Sequence, residues 1–174
     1  ASASGCLSTP RLVAAFVVPP PPVLPPASAR SQTIYPRAQT SLTDGELVRL
    51  LEQVPLPDLA TRVGGLDAVH DWEKLLSVGE QQRLAFGRVL VHKPKTVILD
   101  EATSALDSAN EAFLYEHLRS TGTTLISIAH RAPVLRHHTH VLHLQPEGAW
   151  ELHEPANFQC DAQVGEKPGW GRRG

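Results

Sequence analysis

The sequence predicts a mixed α/β fold with a parallel sheet. Residues 96–99 and 123–128 are short apolar segments, with the length and composition typical of strands buried on both faces of such a sheet. Between them, residues 108–121 carry apolar side chains at helical spacing. A strand, a helix and a second strand in this order form the unit from which parallel sheets are built.

The composition is that of one soluble domain. The chain has 174 residues, 41% of them apolar, and a formal net charge of −2, which provides no basic surface to attract nucleic acid. The apolar stretch 12–24 is broken by prolines and is shorter than the ~20 residues that span a bilayer. Cys6 and Cys160 lie near opposite ends of the chain, so no disulfide framework is expected. We therefore expect a soluble, cytoplasmic chain that binds no nucleic acid.

The N-terminal residues 1–32 are interpreted as a low-complexity, proline-rich arm. Ala, Ser and Pro predominate, and the four consecutive prolines 19–22 disfavour helices and central strands. Polyproline II or no fixed structure is expected, and a ligand for aromatic grooves is the less favoured alternative. At the other end of the chain, the polar residues 157–174 predict a disordered tail.

A predicted helical region, 43–92, follows the arm. It opens with a Thr-x-x-Glu capping box ahead of an amphipathic helix. A shorter helix, 57–63, ends at two glycines, and Ser77 occupies the N-cap position of a third helix, 81–90. These three helices precede the first apolar strand.

Residues 93–156 carry the predicted sheet. Ser108 and Glu111 form a capping box that opens the helix between the two strands. Two short strands in 139–152 flank the turn sequence 146–148, which predicts an antiparallel hairpin. Four histidines in this part of the chain do not have the spacing of a standard metal-ligand set. They are His137, His138, His140 and His143.

Polar side chains follow both predicted strands. Asp100 and Glu101 end the first strand, and His130 follows the second, at the carboxyl ends where parallel sheets bind ligands. Two acids after a buried strand suit Mg²⁺ binding and the activation of water, although they also fit simple capping of the next turn. The helix that Ser77 caps, with Gly79 in its first turn, has an anion-binding end, a feature also common in helices without a ligand.

Four motifs, taken together in their order and spacing, resemble those of the ABC (ATP-binding cassette) transporter ATPases. They are the signature loop Leu76-Ser77-Val78-Gly79-Glu80-Gln81-Gln82-Arg83, the Walker B strand Thr96-Val97-Ile98-Leu99-Asp100-Glu101, the D-loop Ser104-Ala105-Leu106-Asp107 and the H-loop Ile128-Ala129-His130-Arg131. The resemblance covers roughly 33–156. Similarity to subfamily D, the peroxisomal fatty-acyl transporters and their bacterial relatives, lies in Ile34-Tyr35-Pro36, Asp71-Trp72, His138-Thr139-His140 and Gly148-Ala149-Trp150.

The resemblance implies a P-loop NTPase-like fold that binds ATP between two domains arranged head to tail. In this chain Asp100 would hold Mg²⁺, Glu101 would polarise the attacking water and His130 would contact the γ-phosphate. The residues that would contact the ATP of the partner domain or cross the interface are Ser77, Val78, Gly79, Glu80 and Asp107. The implied partners are a second ATP-binding domain and the transmembrane domain of a transporter, on the cytosolic side of the membrane.

The sequence departs from the family at three places. It contains no Gly-x-x-x-x-Gly-Lys-Ser/Thr motif, so the P-loop that holds the β- and γ-phosphates is missing. Pro20 aligns with the Q-loop glutamine, and Val78 stands where the family has glycine. We therefore expect an incomplete ABC ATPase fold that lacks the P-loop strand, with an open edge beside the strand 96–99.

Two kinds of function remain open at this point. The favoured one is a partial ATP-binding cassette, which contributes the signature loop, Walker B strand and H-loop to ATP hydrolysis coupled to transport in a complete protein. The alternative is a catalytically silent interaction module, or a non-functional truncated product that lacks the P-loop.

Overall fold

The structure is a computed structural model that describes residues 15–145 and 148–158. The chain divides into two compact units between His130 and Arg131. The first unit contains β1 (Ala15–Val18), β2 (Ala27–Ser28), α1 (Ala29–Ile34), α2 (Asp44–Gln53), α3 (Leu59–Arg62), β3 (Val69–His70), α4 (Trp72–Leu75), α5 (Val78–His92), β4 (Thr96–Asp100), α6 (Ser108–Ser120) and β5 (Thr124–Ile128). The second contains a 3₁₀ helix (Ala132–His137), β6 (Val141–Leu144), β7 (Trp150–His153) and a further 3₁₀ helix (Pro155–Asn157).

A three-stranded parallel sheet organises the first unit, in the order β1-β4-β5. Val17 pairs with Ile98, and Ile98 pairs in turn with Ile126. The predicted α/β fold with a parallel sheet is confirmed. The predicted open edge beside the strand 96–99 is wrong, because β1 and β5 occupy the two edges of β4. Val97 on β4 is accordingly 0% exposed.

Strand β1 corrects the interpretation of residues 1–32 as an unstructured arm. Its sequence, Ala-Phe-Val-Val, is apolar, and the proline run begins only after the last residue of the strand. A proline removes a hydrogen bond of the sheet only when it lies within a strand, so prolines that follow the last residue of β1 do not disrupt its pairing. Val18 is 1% exposed, and Ser28 caps α1 by accepting a hydrogen bond from the Ser31 N–H at 3.2 Å. The residues before 15 lie outside the described residues.

Helix α5 lies against α1, α2 and β1, and most of its residues are buried. One of its charged side chains, Arg88, is 4% exposed. Its guanidinium donates to the backbone oxygens of Val23 and Gln32, both at 2.8 Å, and lies 4.9 Å from the centre of the Tyr35 ring. Burial lowers the pKa of Arg88 to about 10. Arg88 thus fixes the segment after β1 to α5.

The predicted capping box is present at α2 but not at α6. The Thr43 hydroxyl accepts from the Glu46 N–H at 3.4 Å, and the Thr43 N–H donates to the Glu46 carboxylate at 2.7 Å. At α6 the N-cap is Asp107, whose carboxylate accepts from the Asn110 N–H at 2.9 Å. The prediction that Ser108 and Glu111 open this helix with a capping box is therefore wrong, because the N-cap is the preceding residue, Asp107.

The second unit is built on an antiparallel hairpin of β6 and β7, in which His143 lies opposite Glu151. The predicted hairpin is confirmed, although its turn residues 146–147 lie outside the described residues. Of the predicted tail, 157–174, only the first two residues are described. Among the described residues, no helix combines the length and apolarity needed to cross a membrane.

Candidate functional site

The carboxyl ends of β4 and β5 bring together three predicted site residues. Asp100 is the last residue of β4 and pairs with Ile128, the last residue of β5. The Glu101 N–H donates to the Ile128 oxygen at 2.9 Å. Glu101 Oε1 then lies 3.3 Å from His130 Nε2, and the two side chains are 42% and 85% exposed. The prediction that these polar residues share one edge of the sheet is therefore realised in the geometry.

The backbone of Glu101 has an unusual conformation. Its φ is +45°, in the left-handed region that residues with a Cβ rarely adopt. The turn is held from both sides, because the Glu101 oxygen also accepts from the Ser104 N–H at 3.1 Å. Strain of this kind persists where the surroundings fix the backbone, and it clusters at functional sites.

The amino end of α5 is closed by a reciprocal cap between Ser77 and Glu80. The Ser77 hydroxyl accepts from the Glu80 N–H at 3.3 Å, and the Ser77 N–H donates to the Glu80 carboxylate at 2.8 Å. The Glu80 carboxylate also lies 2.7 Å from Arg62 Nη1. Burial acts to raise the pKa of Glu80, but the bonds from Ser77 and Arg62 outweigh it and hold the pKa below its usual value. Both polar side chains therefore serve the helix itself in this chain.

Gly79 packs against the loop that follows β4. A Cβ at this position would lie 3.1 Å from the backbone oxygen of Ala105, so that the loop would have to move away by a few tenths of an ångström to admit a side chain. Val78, by contrast, is 56% exposed. The side chain of Val78 is thus accommodated within this chain, whereas the lack of a side chain at Gly79 favours the close approach of α5 to the loop 101–107.

Gln82 is the residue that the sequence analysis left without a role. It is 2% exposed, and its side-chain amide donates to Ser104 Oγ at 3.0 Å and to the Glu101 backbone oxygen at 3.4 Å. Its amide oxygen accepts from the Ala105 N–H at 3.1 Å. The available signal was a polar residue whose neighbours one helical turn away, at positions 78, 79, 85 and 86, are all non-polar, since a polar group buried there needs partners.

Asp107 ends the same loop as the N-cap of α6. Its carboxylate accepts from the Asn110 and Ala109 N–H groups at 2.9 and 3.0 Å. These hydrogen bonds, those from Asn110 first, hold the pKa of Asp107 below its usual value. Gly79, Gln82 and Asp107 together fix the loop between the first turns of α5 and the start of α6.

A model of the family described as ABC transporter matches residues 17–104. The chain belongs to the ABC transporter ATPase family. The matched range begins inside β1, and it extends through α5 and β4 to Ser104. The segment after the first described residues is therefore part of the family's domain, in agreement with the pairing of β1 and β4.

Curated relatives include transporter proteins of subfamily D. An uncharacterized ABC transporter ATP-binding protein of Synechocystis sp. is 45% identical over 151 residues, which are 87% of this chain and 23% of that protein. ABC transporter D family member 2, chloroplastic, of Arabidopsis thaliana is 53% identical over 102 residues, 59% of this chain and 14% of that protein. Human ATP-binding cassette sub-family D member 3 is 37% identical over 153 residues, 85% of this chain and 23% of that protein. The chain thus spans less than a quarter of the length of these relatives.

A solved structure of the same family is also similar. A bacterial Atm1-family ABC exporter with ATP bound matches with a TM-score of 0.63 and 30% sequence identity, over 75% of this chain and 23% of that chain. The fold is thus that of an ABC ATPase, represented here in part.

Proposed function

We propose that this chain supplies the signature loop, the Walker B carboxylates and the H-loop histidine to ATP hydrolysis in an ABC transporter. The observation that carries the proposal is the meeting of Glu101 and His130, 3.3 Å apart, at the carboxyl edge of the parallel sheet. Ligands of α/β proteins bind at this edge. Membership of the family makes ATP the expected ligand.

Each residue at this edge has a role that its chemistry supports. Glu101 accepts a proton from the attacking water, and His130 donates a hydrogen bond to the terminal phosphate. Asp100 offers the hard carboxylate oxygen that Mg²⁺ prefers, directly or through a water. Mg²⁺, when bound, neutralises the charge of the phosphates.

The amino end of α5 faces a second ATP-binding domain in this proposal. Val78 and Gly79 are the first two residues of α5. The N–H groups of a first helical turn have no acceptor within the helix. Together with the helix dipole, they bind the γ-phosphate held by the partner domain. Ser77 and Glu80 hold this turn in place, and Asp107 lies beside the same interface. Hydrolysis is coupled to a transmembrane domain from the cytosolic side, with no role for nucleic acid.

The proposal is tested by joining a P-loop segment to this chain. A chimera carries the P-loop segment of a subfamily D transporter ahead of residue 15, and its Mg-dependent ATP hydrolysis is measured against protein concentration. Activity is expected to rise more steeply than concentration, because the site is completed only across a dimer. Glu101→Gln keeps the size of the side chain but removes the proton acceptor, so turnover should fall by about 10²-fold or more while ATP binding persists.

Glu116→Gln is the matched control, since Glu116 is an exposed carboxylate on α6, outside the site. It should leave turnover unchanged. If Glu101→Gln and Glu116→Gln hydrolyse ATP at the same rate, the role assigned to Glu101 is wrong.

A catalytically silent module is the second candidate. It is favoured by Pro20, which replaces the glutamine at the Q-loop position. Such a module would offer its signature loop to the ATP of another domain without hydrolysing ATP itself. In a mixture with a P-loop-bearing ATPase domain, Ser77→Ala and Gly79→Ala would then reduce the partner's turnover, whereas Glu101→Gln would have no effect.

A further inference from the structure

One face of the β6–β7 hairpin carries three side chains that are typical metal ligands. His143 lies directly opposite Glu151, and His153 follows Glu151 by two residues on the same strand. Residues that alternate along a strand, and residues that oppose each other across strands, project to the same face. The three side chains are therefore neighbours, although the first and the last are ten positions apart in the sequence.

Their donor atoms are close enough to share an ion. One ring nitrogen or carboxylate oxygen from each residue lies within 4.8 Å of the other two. His153 Nε2 is already 3.1 Å from Glu151 Oε2. Ligand atoms of a tetrahedral zinc site lie about 2.0–2.2 Å from the ion, and so roughly 3.5 Å from one another. Small side-chain rotations of the exposed His143 and Glu151 close the remaining gap.

An aromatic ring completes the surroundings of the three ligands. The centre of the Phe158 ring lies 5.4 Å from that of His143 and 5.4 Å from that of His153. Phe158 thus packs beside both imidazoles. An apolar group beside metal ligands limits access of water and strengthens their interaction with the ion.

We propose that His143, Glu151 and His153 bind a divalent transition-metal ion, with Zn²⁺ as the best fit. Two imidazoles and one carboxylate form a His₂Glu set, which leaves a fourth tetrahedral position for water or a further ligand. Imidazole nitrogen suits Zn²⁺ and neighbouring transition metals, whereas Mg²⁺ and Ca²⁺ require oxygen ligands. The site does not include Asp100, which is the proposed Mg²⁺ ligand, and it uses none of the other residues proposed for ATP hydrolysis.

Calorimetric titration of the untagged 174-residue chain with ZnCl₂ tests the proposal. One ion per chain is expected, with replacement by Co²⁺ giving the intense visible bands of a four-coordinate site. His143→Ala and His153→Ala should each weaken binding by about 100-fold or more, since even outer-shell changes cost 10–100-fold. Glu151→Gln should weaken it by at least about tenfold while keeping the shape of the side chain.

Two controls make the outcome decisive. His140→Ala removes an exposed histidine just before β6, and it should leave the affinity unchanged. His130→Ala should also leave it unchanged, because His130 belongs to the other candidate site. The proposal is overturned if His130→Ala abolishes binding, if His143→Ala and His140→Ala behave alike, or if Glu151→Gln binds as tightly as the parent chain. Circular dichroism of each variant confirms that the fold is kept.

Discussion

Gln82 shows how one buried amide joins α5 to the loop that follows β4. Its three hydrogen bonds attach α5 to the backbone of Glu101 and Ala105 and to the Ser104 hydroxyl. Gln82→Leu would remove all three of these part-buried hydrogen bonds. The free energy of unfolding should fall by about 2 kcal/mol, because a hydrogen bond of this kind contributes about 0.5–1.5 kcal/mol and the leucine recovers part of the loss through apolar contacts. Urea unfolding measures this loss, and Gln53→Leu, at an exposed position on α2, should stay within about 0.5 kcal/mol.

Glu101 combines a strained backbone with a proposed catalytic side chain. A left-handed conformation costs a residue with a Cβ about 1–2 kcal/mol, whereas glycine adopts it without this strain. Glycine in turn loses more conformational entropy on folding, which costs about 0.5–1 kcal/mol. Glu101→Gly should therefore raise the free energy of unfolding by about 0.5–1 kcal/mol. Glu116→Gly, inside α6, should lower it by about 1 kcal/mol. A loss of stability in Glu101→Gly would show that the carboxylate, and not the backbone, dominates at this position.

The positions of single site residues were predictable where polar side chains directly follow strands whose order in the sheet could also be predicted. The neighbourhood of Glu101 and His130 follows from the rule that parallel strands end at one edge of a sheet. Gln82 was missed because its partners lie 19 to 23 residues further along the chain. The proposed metal ligands were missed for a similar reason: the set crosses a hairpin turn, whereas the histidines that cluster in the sequence, His137 to His143, lie within one segment.

At the scale of elements, the cap of α5 predicts a pH dependence of stability. The folded-state pKa of Glu80 lies below its ordinary value of 4.5, so its contribution is present above pH 4.5 and is lost as the pH falls through the folded value. Glu80→Gln keeps the hydrogen bonds of a capping box but removes the charge from the helix amino end and from Arg62. It should cost about 0.5–1 kcal/mol at pH 7, and the difference from the parent chain should shrink as the pH falls below 4.5.

Unfolding by urea at neutral and acidic pH measures this difference. Glu116→Gln should show a smaller change between the two conditions. A difference for Glu80→Gln that persists undiminished in acid would mean that the carboxylate contributes through shape and not through charge.

Helix starts were the most predictable elements because their signals are local. Thr43 with Glu46 forms the capping box that the sequence pattern predicts. Ser77 is the predicted N-cap of α5, and Glu80 completes a capping box there. At α6 two adjacent residues, Asp107 and Ser108, both suit an N-cap, and the sequence pattern alone favoured the wrong one. The carboxylate of Asp107 takes two backbone N–H groups at once, which a single Ser hydroxyl does less well.

At the scale of the whole molecule, β1 is the missed element with the largest consequence for the sheet. Four residues before a proline run carry little periodicity, and the composition of the surrounding segment argues for disorder. The strand forms because β4 offers a parallel partner some 80 residues later, with Ala15 opposite Thr96 and Val18 opposite Leu99. Such pairing depends on tertiary context and outweighs local propensity.

The contribution of β1 to the fold can be measured with two neighbouring valines. Val18 is 1% exposed and Val17 is 54% exposed, because successive residues of a strand face opposite sides. Val18→Ala removes two buried methyl groups and leaves a small cavity, so unfolding should become easier by about 2 kcal/mol. Val17→Ala, with the same chemistry and the same strand propensity, should cost no more than about 0.5 kcal/mol. Equal and small effects of the two substitutions, in urea unfolding of the whole chain, would mean that residues 15–18 form no part of the core. A loss confined to Val18→Ala would show that this strand supports β4, and with it the edge of the sheet that holds Asp100, Glu101 and His130.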